Sequence, residues 1–402
     1  MEDSQKLFCI VTKCEIHGHG THHKPYYHNP FHPAATLSPV EPLVPLPPLP
    51  GGIAEELFGS SLWFSNDGST LAVGSLDGWA VYDSDSDDIL SWTPRASPTT
   101  RALRGAKKSR RMRSLQANNG GSLVALSGNG NSVAVADKDG ARVRVFYWND
   151  QEWDRVGNVV TDFTLTANVS SLVVSESGNT LAVGGYGNVQ AFRFVPGGDR
   201  WFPRGPPLLA GESSPLLGSK MVISADGRRI ITSTSASGEV VALEWDYDDN
   251  DWYPLGQPIP GIGGGPIVSL AASSDTTIVA FSSGGIVRVY TLVEDEWTQY
   301  GTDIVGSDVS FGSALAMDSS GLILIIGANE SDEMFENAGE VRIYGHDGTD
   351  WIELYDRTYG AGAQDRWGTS VAISANGRVL AISADRKDLP TTGYVGLFVR
   401  PV

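Results

Sequence analysis

Ser224-Ala-Asp-Gly-Arg-Arg-Ile-Ile-Thr-Ser233 reads as a tight turn followed by a strand. Asp-Gly accepts the positive φ that a hairpin turn demands, and the β-branched run behind it suits an extended backbone. The phrase decides the fold because it returns. Its counterparts are Ser65-Asn-Asp-Gly68 leading to Leu71-Ala-Val-Gly74, Ser127-Gly-Asn-Gly130 to Val133-Ala-Val-Ala136, and Ser175-Glu-Ser-Gly178 to Leu181-Ala-Val-Gly184. Further on come Ala272-Ser-Ser-Asp275 to Ile278-Val-Ala280, Asp318-Ser-Ser-Gly321 to Leu324-Ile-Ile-Gly327, and Ser374-Ala-Asn-Gly377 to Leu380-Ala-Ile-Ser383. In each copy the last turn residue precedes the apolar anchor by three. The anchors at 71, 133, 181, 230, 278, 324 and 380 are spaced by 62, 48, 49, 48, 46 and 56 residues.

Each copy continues in the same way. A short loop leads to an alternating apolar segment: Trp79-Ala-Val-Tyr82, Arg142-Val-Arg-Val-Phe146, Val189-Gln-Ala-Phe192, Glu239-Val-Val-Ala-Leu243, Ile286-Val-Arg-Val-Tyr290, Glu340-Val-Arg-Ile-Tyr344 and Tyr394-Val-Gly-Leu-Phe398. Alternation at period two is the signal of a half-buried strand. A polar turn follows, then a tryptophan (Trp92, Trp153, Trp201, Trp252, Trp297, Trp351), with glycine four residues on at Gly157, Gly205, Gly256 and Gly301. Each unit is therefore a four-strand meander of 40–50 residues, the pattern of a propeller blade. The expectation is an all-β fold, a single seven-bladed β-propeller of four-stranded blades over residues 39–402. The seventh copy ends without a tryptophan strand. Leu43-Val-Pro-Leu-Pro-Pro-Leu-Pro-Gly51 is similar to Trp252-Tyr-Pro-Leu-Gly-Gln-Pro-Ile-Pro-Gly261. The segment near Leu43–Leu46 is accordingly expected to supply the last outer strand, where proline is tolerated because an edge lacks ladder partners. The alternative is a Pro-rich linker.

On these residues the chain resembles β-propeller repeat proteins. The phrase at 224 looks like the inner hairpin of Trp-Asp-repeat propellers. Leu181-Ala-Val-Gly-Gly185 through Trp201 resembles a kelch repeat. Phe311-Gly-Ser-Ala-Leu315, with Ile326-Gly-Ala328 and Gly339-Glu-Val-Arg-Ile-Tyr344, resembles an FG-GAP repeat, although Met317-Asp-Ser-Ser-Gly321 is too short for that family's metal loop. The resemblance implies a binding scaffold.

Composition agrees with this and separates the chain into segments. Of 402 residues 47 are Gly, 11 are Trp and only two are Cys, which excludes a disulfide-stapled module and fits a turn-dense β fold. No apolar stretch is long enough for a transmembrane helix. Residues 1–38 hold both cysteines and six of the seven histidines. They read as a disordered His-rich tail, or alternatively as a Zn²⁺, Cu or Ni²⁺ site built from Cys9, Cys14, His17, His19, His22 and His23. The apolar run from Lys6 to Lys13 is too short for a secretory leader, so none is expected. Arg101, Arg104, Lys107, Lys108, Arg110, Arg111 and Arg113 mark a basic insertion at about 97–120 between the first two blades. Without those seven, 22 basic residues face 47 acidic ones, a balance of −25 against −18 for the whole chain. Such a body is not expected to bind bulk nucleic acid.

Catalytic motifs are missing from the sequence. No Gly-x-Ser-x-Gly, Walker-type or His-Glu-x-x-His pattern occurs, and beyond residue 39 the one histidine is His346, read as a solvated turn residue. The expected function is a non-catalytic scaffold without cofactor, monomeric, taking a protein or glycan partner on its loop face. The candidate binding residues are the basic insertion together with the loop acids Asp77, Asp137, Asp139, Glu330, Asp332 and Asp385. Two alternatives remain. One is carbohydrate chemistry through carboxylates, for which no pair stands out. The other is calcium-assisted adhesion through two acidic turns, Asp83, Asp85 and Asp87 in one and Asp246 and Asp248 in the other, which place oxygen ligands at alternate positions. Sequons at Asn168 and Asn329 leave an extracellular or cell-surface location open.

Overall fold

The computed structural model describes residues 42–50, 58–75, 78–84, 91–95, 123–137, 142–160, 169–185, 187–209, 217–234, 238–386 and 393–401. The expected tail 1–38 and the basic insertion near 97–120 lie outside them. The described residues form seven antiparallel sheets, one per sequence repeat. Blade four is representative: Leu217–Ile223, Arg229–Thr234, Val240–Asp246 and Asp251–Pro254 follow one another from the inner to the outer edge. The inner strands of successive blades lie side by side in a cycle that returns from Trp367–Ile373 of blade seven to Ser61–Phe64 of blade one. In blades three, five and six the outer strand resumes as a two-residue segment, Leu208–Leu209, Ile304–Val305 and Thr358–Tyr359, paired with the same third strand.

The ring is closed by the N-terminal side. Val44–Pro50 pairs antiparallel with Tyr394–Val399 and becomes the outer strand of blade seven. The strand extends beyond the expected Leu43–Leu46, with a register shift between Leu46 and Leu49. Both leucines are buried, in a cluster with Phe58, Leu62, Leu71 and Val395 that joins blades seven and one.

The Ser-x-Asp-Gly phrase holds the inner hairpins. Ser224 Oγ donates to Asp226 Oδ1 (2.6 Å) and accepts the Arg229 amide (2.9 Å), while Asp226 Oδ1 accepts the Arg228 amide (2.9 Å). Ser65 with Asp67, Ser127 with Asn129, Ser273 with Asp275 and Ser374 with Asn376 repeat the donation from serine. In blade six the roles are exchanged: Ser320 donates to Asp318, which accepts the amides of Leu322 and Ile323. The fifth copy differs from its sequence reading by one residue. Its turn is Ser273–Thr276, with Thr276 at φ 58° where the others place glycine, so the buried anchor is Val279 rather than Ile278.

These turns also bind to one another. The amide of Asn66 donates to Gly128 O (2.7 Å), Asn129 to Glu176 O (3.1 Å), Glu176 to Ala225 O (3.0 Å) and Ala225 to Ser274 O (2.7 Å). Ser274 continues to Ser319 O (3.1 Å), Ser319 to Ala375 O (3.0 Å), and Ala375 returns to Asn66 O (3.0 Å). Seven hydrogen bonds thus close a backbone ring around the axis.

At the rim the tryptophans take the same part. The indole N–H of Trp252 donates to Arg204 O, that of Trp297 to Leu255 O and that of Trp351 to Tyr300 O, each about 2.9 Å away in the preceding blade. The glycine four residues after a tryptophan makes room for this contact. At Gly301 (φ 83°) an added Cβ would lie 2.8 Å from Trp351 Cδ1.

Seven apolar clusters fill the seven interfaces between blades. This explains one departure from the period-two reading. The third strand Glu340–His346 is buried at every position but the last, its arginine and glutamate included. Each blade is covered on both faces by its neighbours, so alternation there separates two packed faces rather than core from solvent.

Deleting residues 1–51 removes Leu46 and Leu49 and exposes the edge of blade seven. The melting temperature should fall by about 5–10 °C or more relative to a chain lacking only 1–41. Equal melting temperatures would contradict the closure. Gly301→Ala combines a left-handed φ with the indole contact and should cost about 2–3 kcal/mol in chemical denaturation. An unchanged midpoint would mean that the glycine is not needed there.

Candidate functional site

The loops that join second to third strands, and outer strands to the next blade, emerge on one face of the propeller. At blades five to seven they form a hydrogen-bonded cluster. Its base is Glu340, fully buried, whose carboxylate takes Arg342 Nε (2.7 Å) and Arg357 Nη1 (3.3 Å). Arg342 reaches on to Ser307 Oγ (3.2 Å) and lies over the Phe311 ring, fixing the connection from blade five to blade six. A buried carboxylate with two guanidinium partners is a rigid anchor, because removing one partner strands a charge in the interior.

The loop 329–339 sits between two others. Ser310 Oγ accepts the Glu330 amide on one side. On the other, the amides of Gln364, Arg366 and Trp367 donate to the carbonyls of Glu336, Asn337 and Ala338. Asp365, also buried, accepts the amides of Ala361 (2.8 Å) and Gly362 (3.2 Å), Arg386 Nε (2.8 Å) and the Tyr394 hydroxyl (3.1 Å). Burial and the Asp365 charge push the Tyr394 phenol up to about 12, so it remains a donor. Asn337, Gln364, Arg366 and Arg386 all adopt left-handed φ between 48° and 64°. Four non-glycine residues in that region are held there by the surrounding bonds.

This frame displays apolar side chains to solvent. Val309 is 81% exposed, Val305 62%, Met334 55% and Phe335 48%, and Asp332, Glu333 and Glu336 are exposed beside the last two. Large exposed apolar groups on a rigid support mark interaction surfaces. The buried carboxylates Glu340 and Asp365 are already occupied by cations and amides.

The expected site residues fall differently. Glu330 is exposed and pairs with Arg366 at 3.4 Å. Asp332 closes its own loop by accepting the Asn337 amide (2.6 Å). Asp385 is buried beside Arg366, at 3.6 Å from its Nε. Asp137 ends the second strand of blade two. Asp77, Asp139, Arg101, Arg104, Lys107, Lys108, Arg110, Arg111 and Arg113 lie outside the described residues, as do Asp85 and Asp87 of the first acidic turn. Asp83 is taken up by Arg95 and by the Thr70 hydroxyl. In the second turn Asp246 Oδ1 accepts the amides of Asp248 and Asp249, which lowers its pKa. Among the described residues no group of three His, Cys, Asp or Glu is placed to hold a metal ion. No described helix is long and apolar enough to cross a membrane.

Sequence reasoning passed over Met334, Phe335 and Val309. The available signal was Met334-Phe335 inside an acidic loop, where neither a helical nor a strand period calls for large apolar side chains. The Glu340–Arg342 pair gave no signal, since Glu-x-Arg is also what a solvated strand face looks like.

No protein-family model matches this chain, and no curated protein matches it in sequence. Among solved structures it is similar to the β-propeller domain of Cps50 (Swd1) from Myceliophteria thermophila. That match has a TM-score of 0.56 and 12% identity, and covers 86% of this chain and 98% of that one. The likeness supports the propeller fold.

His346 is not the solvated turn residue expected. Its ring stacks on Tyr300 at 3.9 Å between centroids and meets the edge of Trp351 at 5.2 Å. Nδ1 accepts the Gly348 amide (3.1 Å), which assigns the proton to Nε2, a buried atom with no partner among the described residues. Burial lowers the pKa below its usual value near 6.5. The folded state therefore prefers the neutral ring. Its contribution is complete above pH ~6.5 and is lost as pH falls toward the lower folded value. Thermal denaturation should show wild type losing stability relative to His346→Gln between pH 7.5 and 5. A difference independent of pH would refute this reading.

Proposed function

We propose that this propeller is a non-catalytic binding platform whose loop face at blades five to seven takes a protein partner carrying a basic segment with apolar side chains. One observation carries the reading. Met334 and Phe335 are exposed beside Asp332, Glu333 and Glu336, and Val309 is exposed on the adjoining loop whose Ser310 accepts the Glu330 amide; both loops are otherwise internally hydrogen-bonded. The frame is ordered before binding, so contact with a partner costs little further loop entropy. The apolar side chains supply burial, and the acids steer a cationic segment and set its register.

The test is an array of peptides that combine Arg or Lys with Leu or Phe, followed by fluorescence anisotropy on the full chain. The best binders should weaken about tenfold or more with Met334→Asp plus Phe335→Asp. They should lose association rate and salt dependence with Glu333→Lys plus Glu336→Lys. All four residues are exposed, so both variants should melt like wild type. Binding that ignores both variants, or an array with no binder, would overturn the reading.

A further inference from the structure

The axis of the ring holds a cavity of about 410 Å³, the size of a small-molecule site. Its turn end is lined by the seven ring residues, from Asn66 and Gly128 to Ala375. The cavity is not symmetric about the axis. Blades two and three lend it only Leu126, Gly128, Val174 and Glu176, whereas blades five and six lend the whole runs Ser269–Ser274 and Ser313–Ser319.

Trp63 accounts for the asymmetry. It stands two residues before the turn serine Ser65. The same place holds Ala125, Ala271, Ala316 and Ala372 in four other blades, and Val173 and Val222 in the remaining two. Small residues there let seven inner strands converge. Trp63 is half-buried, lines the cavity and packs against three apolar clusters, those between blades one and two, two and three, and three and four. A side chain of blade one meets the cluster of blades three and four only by reaching across the axis. Its indole thus takes up the side of blades two and three and forms a wall of the space that remains.

The charge on the lining has one sign. Among the described residues no Lys, Arg or His lines the cavity, and the acids that do are Asp318 and Glu176. Asp318 is buried and occupied by Ser320 and the amides of Leu322 and Ile323. Glu176 enters the ring through its backbone, its amide donating to Ala225 O and its carbonyl accepting the Asn129 amide. Its side chain is exposed and makes no hydrogen bond or ion pair among the described residues. Val173 and Val174, which belong to clusters that the indole covers, lead directly to it. Val173 and Glu176 are three strand residues apart, roughly 10 Å. An aromatic wall and a free carboxylate therefore lie on the same side of the cavity, one above the other.

We infer that the axial cavity binds a small arylalkyl monoamine, its ring against the Trp63 indole and its ammonium on Glu176 at the turn end. Val222, Met317 and Ile373, half-exposed on the lining, give the hydrocarbon body its other contacts. An aromatic ring gains an offset or edge contact with indole beyond its burial. The field of a chain with net charge −18 draws a cation toward the mouth, and nothing on the lining would compensate an anion. This site goes beyond the loop-face reading and does not depend on it.

The experiment is calorimetric titration of the full chain with 2-phenylethylamine, 2-phenylethanol and 3-phenylpropanoate, which share a shape and differ in charge. Tryptophan emission is recorded in parallel. Saturable one-to-one binding of the amine is expected, with the alcohol about tenfold or more weaker, the scale of one charge-assisted hydrogen bond, and the carboxylate weakest. Glu176→Gln leaves the backbone ring intact, so it should melt like wild type, bind the alcohol unchanged and lose the preference for the amine. Trp63→Phe should still bind the amine but lose the change in emission that the amine causes in wild type. Trp63→Ala should weaken amine and alcohol alike; if it does not fold, the emission of Trp63→Phe decides. Absence of saturable amine binding, tighter binding of the carboxylate, a preference for the amine that survives in Glu176→Gln, or an emission change that persists in Trp63→Phe would each overturn the inference.

Discussion

Seven backbone hydrogen bonds, passed from one inner turn to the next and returned from Ala375 to Asn66, are the constraint on which the remainder of the structure rests. Each bond requires two adjacent turns at one height and one distance from the axis. Ser and Asp, or Asn, fix the shape of the turn from inside by sharing Oγ, Oδ1 and two amides. Glycine then allows the chain to turn with φ near 70° while its missing Cβ leaves space for the neighbouring blade. At Gly227 that Cβ would stand 2.7 Å from Thr180 Oγ1. A ring of this kind has no free end, so an error in one turn would disturb two interfaces.

The rim obeys a second rule of the same form. A tryptophan in one outer strand donates to the carbonyl three residues after the tryptophan of the blade before, and the following glycine clears the indole. Arg204 adds a cation to this arrangement, lying 4.8 Å from the Trp245 ring and bonded to Gly227 O. Bonds at the axis and indoles at the rim enclose the apolar clusters between blades, which is where burial supplies most of the stability. Closure by Val44–Pro50 completes the last sheet with residues from the opposite end of the chain, so both ends of the propeller sequence are tied into one blade.

With the turn face committed to the ring and the rim committed to tryptophans, the loop face and the channel are left to vary. At blades five to seven the loops are held by two buried carboxylates, Glu340 bonded to two guanidinium groups and Asp365 bonded to Arg386 and two backbone amides. Rigid support below and apolar side chains above are what a recognition surface needs.

The architecture is legible from residues close together in the chain. Turn chemistry, strand alternation and tryptophan spacing are local properties, and repetition multiplied each weak signal seven times. It also indicated the closing strand, because the Pro-rich segment matched the outer strands of other blades. The fifth copy departs from the repeat phrase by one residue, since Thr276 adopts the left-handed conformation without being glycine. Which polar residues are available follows instead from how the blades pack. Glu330, Asp332 and Asp385 look alike in sequence, yet one is exposed and ion-paired, one closes its own loop and one is buried beside Arg366. His346 in a Tyr-Gly-His-Asp-Gly turn reads as solvated, but Tyr300 from the neighbouring blade covers it. The reason is common to all of these. Backbone conformation is set by neighbours in sequence, whereas burial, pairing and enclosure are set by blades about 48 residues away.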